Sequence, residues 1–244
     1  MRVYLTPDAW EQTSVTLSRE ETHYAQRVLR SEPGDEVNLF DGAGRTGRGQ
    51  VTGIGHHAMT IDLLEQTTAP KPLPHVHLAQ ALPKGKKMDW IIEKVTELGV
   101  ARIIPMQTRH AVMQAEGVRA ERKVARWQEI AKSATRQSGQ AWMPLIEPVT
   151  RMRDLLDPAS SRAGQILLCS LAAGARDLKQ VLSATELVAD GRLLLLVGPE
   201  GDFSLGETQA ALEAGALPVC LGSSVLRTET AAIYTVAAIR YEFG

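Results

Sequence analysis

The sequence predicts an α/β chain in which a small β-rich domain precedes a parallel-sheet domain, and three observations carry that prediction. Residues 69–74 read Ala-Pro-Lys-Pro-Leu-Pro. Three prolines so close together exclude a helix interior or a central strand, so the segment reads as a stiff linker. Before it, short strand-like runs lie between turn signals. After it, short apolar runs alternate with helical patterns, the rhythm of a parallel sheet covered by helices. The predicted boundaries are 1–72 for a small β-barrel and 73–244 for the α/β domain.

In the first domain, Glu32-Pro33-Gly34-Asp35 is a turn signal, and the strand candidate VNLFDG follows it. GRGQVTGIG and MTIDLLE read as further strands, and only Thr22–Arg30 reads clearly as helix. After the linker, HVHLAQAL is a strand candidate. The next stretch places Met88, Ile91, Ile92, Val95 and Leu98 at helical spacing, with Gly99 as the stop. ARIIPMQ is the next strand. RKVARWQEIAKSATRQSGQ is a long helix with a basic face, closed by Gly139. MPLIEPV, QILLCSL, LLLLVG and LPVCLG are further strand candidates, with helices in RDLKQVLSA and SLGETQAALEAG. Leu193 to Val197 is apolar without a break, as in a strand buried on both faces. The last helix, TAAIYTVAAIRYEF, is apolar over a wide arc, which calls for burial, in part against a second subunit.

Composition narrows the function. The chain has 244 residues and a net charge of −1. The charge is unevenly placed. Residues 73–153 carry 14 basic and 7 acidic side chains, against 7 and 10 in residues 1–72 and 6 and 11 in residues 154–244. A basic block inside a neutral protein is either an ordinary solvated surface or an electrostatic footprint for a polyanion such as RNA. Cys169 and Cys220 sit in apolar contexts and read as reduced core residues, which places the chain in the cytoplasm. No Cys or His spacing suits a metal, so none is expected. The N-terminus lacks a signal-peptide core, and no apolar run approaches the roughly 18 residues of a membrane span.

In open α/β sheets, ligands bind beyond the carboxyl ends of the strands. Three loops are expected there: Ser170–Gly174, the loop opening at Gly198, and Gly222–Ala231. In the second, Gly198 and Gly201 permit close backbone approach, Pro199 stiffens the turn, and Ser204 with Glu207 forms a capping box. Its spacing fits neither a phosphate loop, which needs a lysine, nor a dinucleotide fingerprint. An ordinary connection between strand and helix would look similar. In the third loop, LRTETA places Arg227 and Glu229 at the start of the final helix. They could be a surface ion pair of little consequence, or an anion-stabilising group beside free helix amides.

LAQALPKGKKMDWIIEKVTELGV, RWQEIAKSATRQSGQ, LLVGPEGDFS and LGSSVLRTETA together resemble the 16S ribosomal RNA (uracil-N3)-methyltransferases of the SPOUT superfamily. HYAQRVLRSEPGDEVNLFDGAG resembles the first domain of that family. The likeness runs from about residue 2 to 243. It implies a parallel sheet tied in a trefoil knot, a topology otherwise nearly absent from proteins, and a PUA-like RNA-binding barrel in front. It implies S-adenosylmethionine as methyl donor, a homodimer, and N3-methylation of a uridine, uracil 1498, in the small-subunit RNA. Matched by motif, the donor site would include Leu171, Val197, Gly198, Gly201, Leu221, Gly222 and Leu226. Two departures stand out: Asp202 stands where the family usually has a glycine, and Ser224 where it commonly has an arginine.

Arg227 is the expected stabiliser of charge on the uracil oxygens, with Glu229 either orienting it or accepting the proton. Arg27, Arg30, Lys84, Lys86, Arg136 and Gln137 are the expected RNA contacts. The basic helix with Arg122, Lys123, Arg126, Lys132 and Arg136 is the richest source of phosphate contacts. The partner would be 16S ribosomal RNA, free or in the assembled subunit. Two alternatives keep part of this picture: a knotted ribose 2′-O-methyltransferase, and a non-catalytic RNA-binding assembly factor.

Overall fold

The computed structural model describes residues 2–27, 30–55, 58–110, 117–157, 164–172, 174–184 and 191–244. It divides into two units. One comprises residues 1–71 with 132–143, the other 72–131 with 144–244. The break after Lys71 lies within the proline-rich segment. Residues 132–143, placed by the sequence in the second domain, group with the first unit instead.

The first unit is a five-stranded sheet in the order β1-β3-β4-β5-β2. Its strands are β1 (Arg2–Tyr4), β2 (Ser14–Thr16), β3 (Glu36–Phe40), β4 (Arg45–Ile54) and β5 (Met59–Thr68). β4 and β5 form a long antiparallel pair interrupted by two irregularities, at Arg48/Gly49 and Val51/Gly53, the device by which a sheet coils. One apolar cluster, including Val3, Trp10, Val15, Leu39, Val51 and Ile61, fills the inner face. Helix α1 (Arg19–Arg27) starts three residues earlier than Thr22, where the apolar pattern begins. β1 and β2, three residues each, are too short to register as periodic runs.

The second unit is an all-parallel sheet in the order β11-β13-β10-β12-β6-β7-β8, with β9 also on β7. Its principal strands are β6 (His75–Ala81), β7 (Arg102–Gln107), β10 (Gln165–Cys169), β12 (Arg192–Val197) and β13 (Leu217–Cys220). The short edge strands are β8 (Leu145–Ile146), β9 (Thr150–Arg151) and β11 (Arg176–Asp177). The run MPLIEPV thus yields only β8, because Pro144 and Pro148 flank it and remove donors.

β12 explains its own unbroken apolar character. Leu194 and Leu196 join a cluster with Ala79, Ile104, Met106 and Leu168, packed on α4 (Met152–Leu155) and α6 (Leu205–Glu213). On the opposite face, Gln80 of β6 reaches Thr228, and Cys169 of β10 lies against Thr235, both on α7 (Thr228–Phe243). With both faces covered, alternation has no role, and β12 reads as a continuous apolar string.

Helix α2 (Lys87–Glu97) ends where Gly99 takes φ 76°, its amide bonding back to the Thr96 carbonyl. Arg240, in the last turn of α7, donates to the carbonyls of Leu98, Leu73 and Gly99 and so caps that end with a cation. Burial lowers the pKa of Arg240 from its ordinary value. Helix α3 (Gly117–Ser138) stops at Gly139, with φ 79°. α5 spans Leu178–Ala184.

Candidate active site

The chain enters the sheet out of order. β12 pairs between β10 and β6, and β13 between β10 and β11. The carboxyl ends of β13, β10 and β12 are therefore adjacent, although 23 or more residues separate them in sequence. The loops leaving those ends enclose a cavity of about 470 Å³. Its lining comes from 169–172, 197–202 without Gly201, 220–228, and Ala231. This is the place at which an open α/β sheet holds its ligand.

Six of the seven residues expected at the donor site line this cavity: Leu171, Val197, Gly198, Leu221, Gly222 and Leu226. Gly201 does not, and a Cβ built on it would meet only His110, at an ordinary 3.8 Å. The glycines that matter do so for different reasons. At Gly198 a Cβ would press to 3.2 Å on the Phe203 ring and 3.4 Å on Asp202 Oδ1, so a side chain there requires Phe203 to give by a few tenths of an ångström. Gly222 has open space around it but φ 105°, so the backbone excludes one.

Cys169, Ser170, Asp202, Ser223, Val225 and Thr228 also line the cavity, although none of them is among the donor contacts expected from the motif. Cys169 is buried, and desolvation pushes its thiol up to about 12, so it is a neutral wall of the cavity. Cys220 lines the cavity half-buried, where a core position was expected. Only their place around the cavity marks these residues. No local pattern distinguishes a core cysteine from a lining one.

Asp202 resolves the first departure from the family pattern. Its φ is 61°, in the left-handed region that glycine enters freely and other residues rarely do. Its Oδ1 accepts from the Phe203 amide at 2.8 Å, the local hydrogen bond that makes Asp more tolerant there than most side chains. The capping box is present: Ser204 Oγ accepts from the Glu207 amide, and Glu207 Oε2 accepts from the Ser204 amide at 2.9 Å. The other Glu207 oxygen accepts from the Arg109 amide at 2.7 Å, and His110 Nδ1 lies 3.2 Å from the Asp202 carbonyl. This loop is thus held from outside by residues 109 and 110.

Arg227 lines the cavity, exposed, as the N-cap residue of α7. Among the described residues its guanidinium has no ion-pair partner. Glu229, two residues on, does not line the cavity and does not touch Arg227 in any described contact. Its Oε2 lies 3.2 Å from Lys87 Nζ, at the start of α2. The same ammonium is 3.1 Å from Glu200 Oε1. Donation from the Lys87 ammonium to the Glu200 carboxylate, and then its interaction with Glu229, raise the Lys87 pKa. Burial opposes the Glu200 charge, but its own backbone amide and Lys87 outweigh it and keep that carboxyl below its ordinary value. Lys87 therefore stays a cation and bridges the second and third loops. The expectation that Glu229 orients Arg227 gives way to this bridge. The sequence shows both charges but not which partner each takes.

The expected RNA contacts divide. Arg27, Arg30, Lys84, Lys86 and Gln137 are exposed. Arg136 is committed elsewhere: it pairs with the buried carboxylate of Glu21 at 2.5 Å and stacks 4.0 Å from the Tyr24 ring centroid. Lys132 joins the same carboxylate at 3.1 Å. On the basic helix, Arg126 pairs with Asp89 at 2.5 Å, and Arg122 is exposed. Among the described residues no His, Cys, Asp and Glu grouping could hold a metal ion. None of the described helices is long and apolar enough to cross a membrane.

A parallel sheet whose out-of-order strands bring three loops around one cavity suits an enzyme that binds a small molecule at its strand ends. The comparisons with known proteins agree. The family model for an RNA methyltransferase domain matches residues 69–240, and the model for an RNA methyltransferase PUA domain matches residues 17–64. The chain belongs to this RNA methyltransferase family. It is 32% identical over 98% of its length to the ribosomal RNA small subunit methyltransferase E of Synechocystis, of which the match covers 76%. It is 30% identical to the Bacillus subtilis protein of the same name, over 95% of this chain and 91% of that one. The crystal structure of a ribosomal RNA small subunit methyltransferase E from Neisseria gonorrhoeae bound to S-adenosyl methionine superposes with a TM-score of 0.86. It is 32% identical and covers 98% of this chain and 96% of that chain.

Proposed function

We propose that this protein transfers a methyl group from S-adenosylmethionine to N3 of a uridine, uracil 1498, in 16S ribosomal RNA. The observation that carries the reading is the cavity: six residues matched by motif to the donor site converge on it from three loops. Its chemistry suits this donor. Apolar walls from Leu171, Val197, Leu221 and Leu226 fit an adenine face. Among the described residues, the amides of Leu221 to Leu226 make no backbone hydrogen bonds, so they are free to read its edge. The donor carries no phosphate, in keeping with a cavity lined by no lysine.

When bound, the donor supplies an already activated methyl group. The protein's own task is then the acceptor. Uracil N3 must give its proton to solvent water, and the negative charge spreads to the flanking carbonyl oxygens until the methyl bonds to N3 and the demethylated donor leaves. Arg227, at the cavity wall and without an ion-pair partner among the described residues, is placed to stabilise that charge. Glu229, held by Lys87, acts in this reading as an anchor of the third loop rather than as proton acceptor. The target base must leave its stack to reach the cavity. Arg27, Arg30, Lys84, Lys86 and Gln137 supply backbone contacts.

The reading extends to a trefoil knot, a closed PUA-like barrel, a homodimer and a cytoplasmic location. Support for the knot is the late entry of β12 and β13 between strands already laid down. Support for the dimer is the exposure of Val225, Tyr234 and Tyr241 on or beside α7. Ribosomal RNA from cells with and without the protein, digested to nucleosides and analysed by mass spectrometry, tests the whole. N3-methyluridine that disappears with the protein is expected. Loss of a ribose-methylated nucleoside instead would transfer the function to the 2′-hydroxyl. Calorimetry showing no S-adenosylmethionine binding would leave only an assembly factor.

A further inference from the structure

We infer that Thr228, held by Gln80, is the positioning residue that sets Arg227 at the cavity wall. The inference rests on the reading that Arg227 stabilises charge on the acceptor base. The Thr228 hydroxyl donates to the Gly198 carbonyl at 2.6 Å. It accepts from Gln80 Nε2 at 2.9 Å. The same nitrogen donates to the Ala81 carbonyl at 2.9 Å. Both amide hydrogens of Gln80 are then used, and its orientation is settled, since the reverse would set its oxygen against a carbonyl. Thr228 has a single hydroxyl proton, so the relay has one direction, from Gln80 through Thr228 to Gly198.

Three elements meet at this relay: the end of β6, the first residue of α7, and the residue that follows β12. Gln80 is fully buried and Thr228 is 5% exposed, so water does not replace either bond. The position needs such a fastening. A helix start is ordinarily fixed by a Ser, Thr, Asp or Asn at the N-cap, but here the N-cap is Arg227, whose side chain makes no cap bond. Thr228 supplies the missing tether from one residue further in, joining two segments of the cavity wall. Arg227 shares a peptide with it. The Gln80 Oε1 atom is buried with no hydrogen-bond partner among the described residues. An apolar side chain would avoid that cost, so Gln80 is explained by what its nitrogen holds.

The test compares Thr228→Val, Thr228→Ser, Gln80→Leu and Arg227→Ala, using small ribosomal subunits from cells that lack the protein. Donor affinity is read by calorimetry, transfer by single-turnover rate at saturating donor, and folding by thermal melting. Thr228→Val is expected to slow transfer about ten- to a hundredfold, with donor affinity within about threefold. Thr228→Ser returns most of the rate, and Gln80→Leu is slowed in the same direction by less. A wild-type rate in Thr228→Val overturns the proposal, and so does a loss that appears only in donor affinity or that serine does not restore. Should the valine variant not fold, Gln80→Leu carries the same comparison against Arg227→Ala. A wild-type rate in Arg227→Ala would instead remove the reading of Arg227 itself. A slow Arg227→Ala beside a normal Thr228→Val removes the positioning role alone.

Discussion

Arg227 and Arg136 are both arginines at helix ends in basic-looking sequence, and the two regions use them in opposite ways. Arg136 lies in the last turn of α3, where a cation suits the helix dipole. There it neutralises a carboxylate only 3% exposed and covers a tyrosine ring. Arg227 lies at the first end of α7, where the dipole opposes a cation, and has no ion-pair partner among the described residues. One arginine stands where helix electrostatics favour it, and the other stands where they do not. Local rules are broken where function is served, so the misplaced arginine is the one to test for chemistry.

The largest expected effect follows from that contrast. Arg227→Ala should slow single-turnover methyl transfer about a hundredfold or more, the usual loss for one charge-stabilising donor. Donor affinity should stay within about threefold, and stability should hold or rise by a few tenths of a kcal/mol as the cation leaves the helix start. Lost donor affinity with an unchanged chemical step would break the comparison. Arg136→Met should behave in the opposite way. It leaves Glu21 buried with Lys132 as its other cation among the described residues, so unfolding free energy should fall by about 2–4 kcal/mol, moderated by that lysine. Denaturant melts measure it. The salt dependence of RNA binding should not change, and a shallower slope with normal stability would return Arg136 to the RNA.

Smaller effects sharpen the same division. Lys84 and Lys86 are exposed just before α2. Replacing either with alanine should reduce the slope of log affinity against log salt by about one, with stability within about 0.5 kcal/mol. Unchanged slopes in filter binding at graded salt would remove this segment from the RNA footprint.

These contrasts also mark how far sequence reasoning reaches. β12, α2, α3, α6 and α7 were legible because periodicity, unbroken apolarity and caps are local signals. The three loops were legible as a set because parallel sheets gather strand ends. Pairings between distant residues were not. Nothing local joins Glu21 to Arg136, Lys87 to Glu200 and Glu229, or Gln80 to Thr228. Residues 132–143 read as the end of a helix in the second domain, because a helix carries no mark of the core that its last turns serve. Thr228 could have been found by one signal: a helix whose N-cap is an arginine needs another tether.

Asp202 is tested by an order of stabilities, with differences of about 1–2 kcal/mol at most. Its φ of 61° costs an ordinary side chain roughly 1 kcal/mol or more. Aspartate offsets part of this with the bond from the Phe203 amide, which is worth about 1 kcal/mol. Asn keeps both the acceptor and the tolerance for this conformation, so Asp202→Asn should be near neutral. Gly loses the bond and gains unfolded-chain entropy, yet loses the strain, so it should fall within about 1 kcal/mol of wild type. Ala loses the bond and keeps the strain, and should be the least stable of the three, by about 1–2 kcal/mol. At most positions alanine is the more stable of the last two, by about 0.5–1 kcal/mol. Glycine above alanine in thermal melts would show that the backbone dictates this position, and that a glycine would serve as well as the aspartate. Alanine equal to or above glycine would mean that the loop relaxes out of the left-handed region, and that the Asp202 carboxylate is kept for what it presents to the cavity.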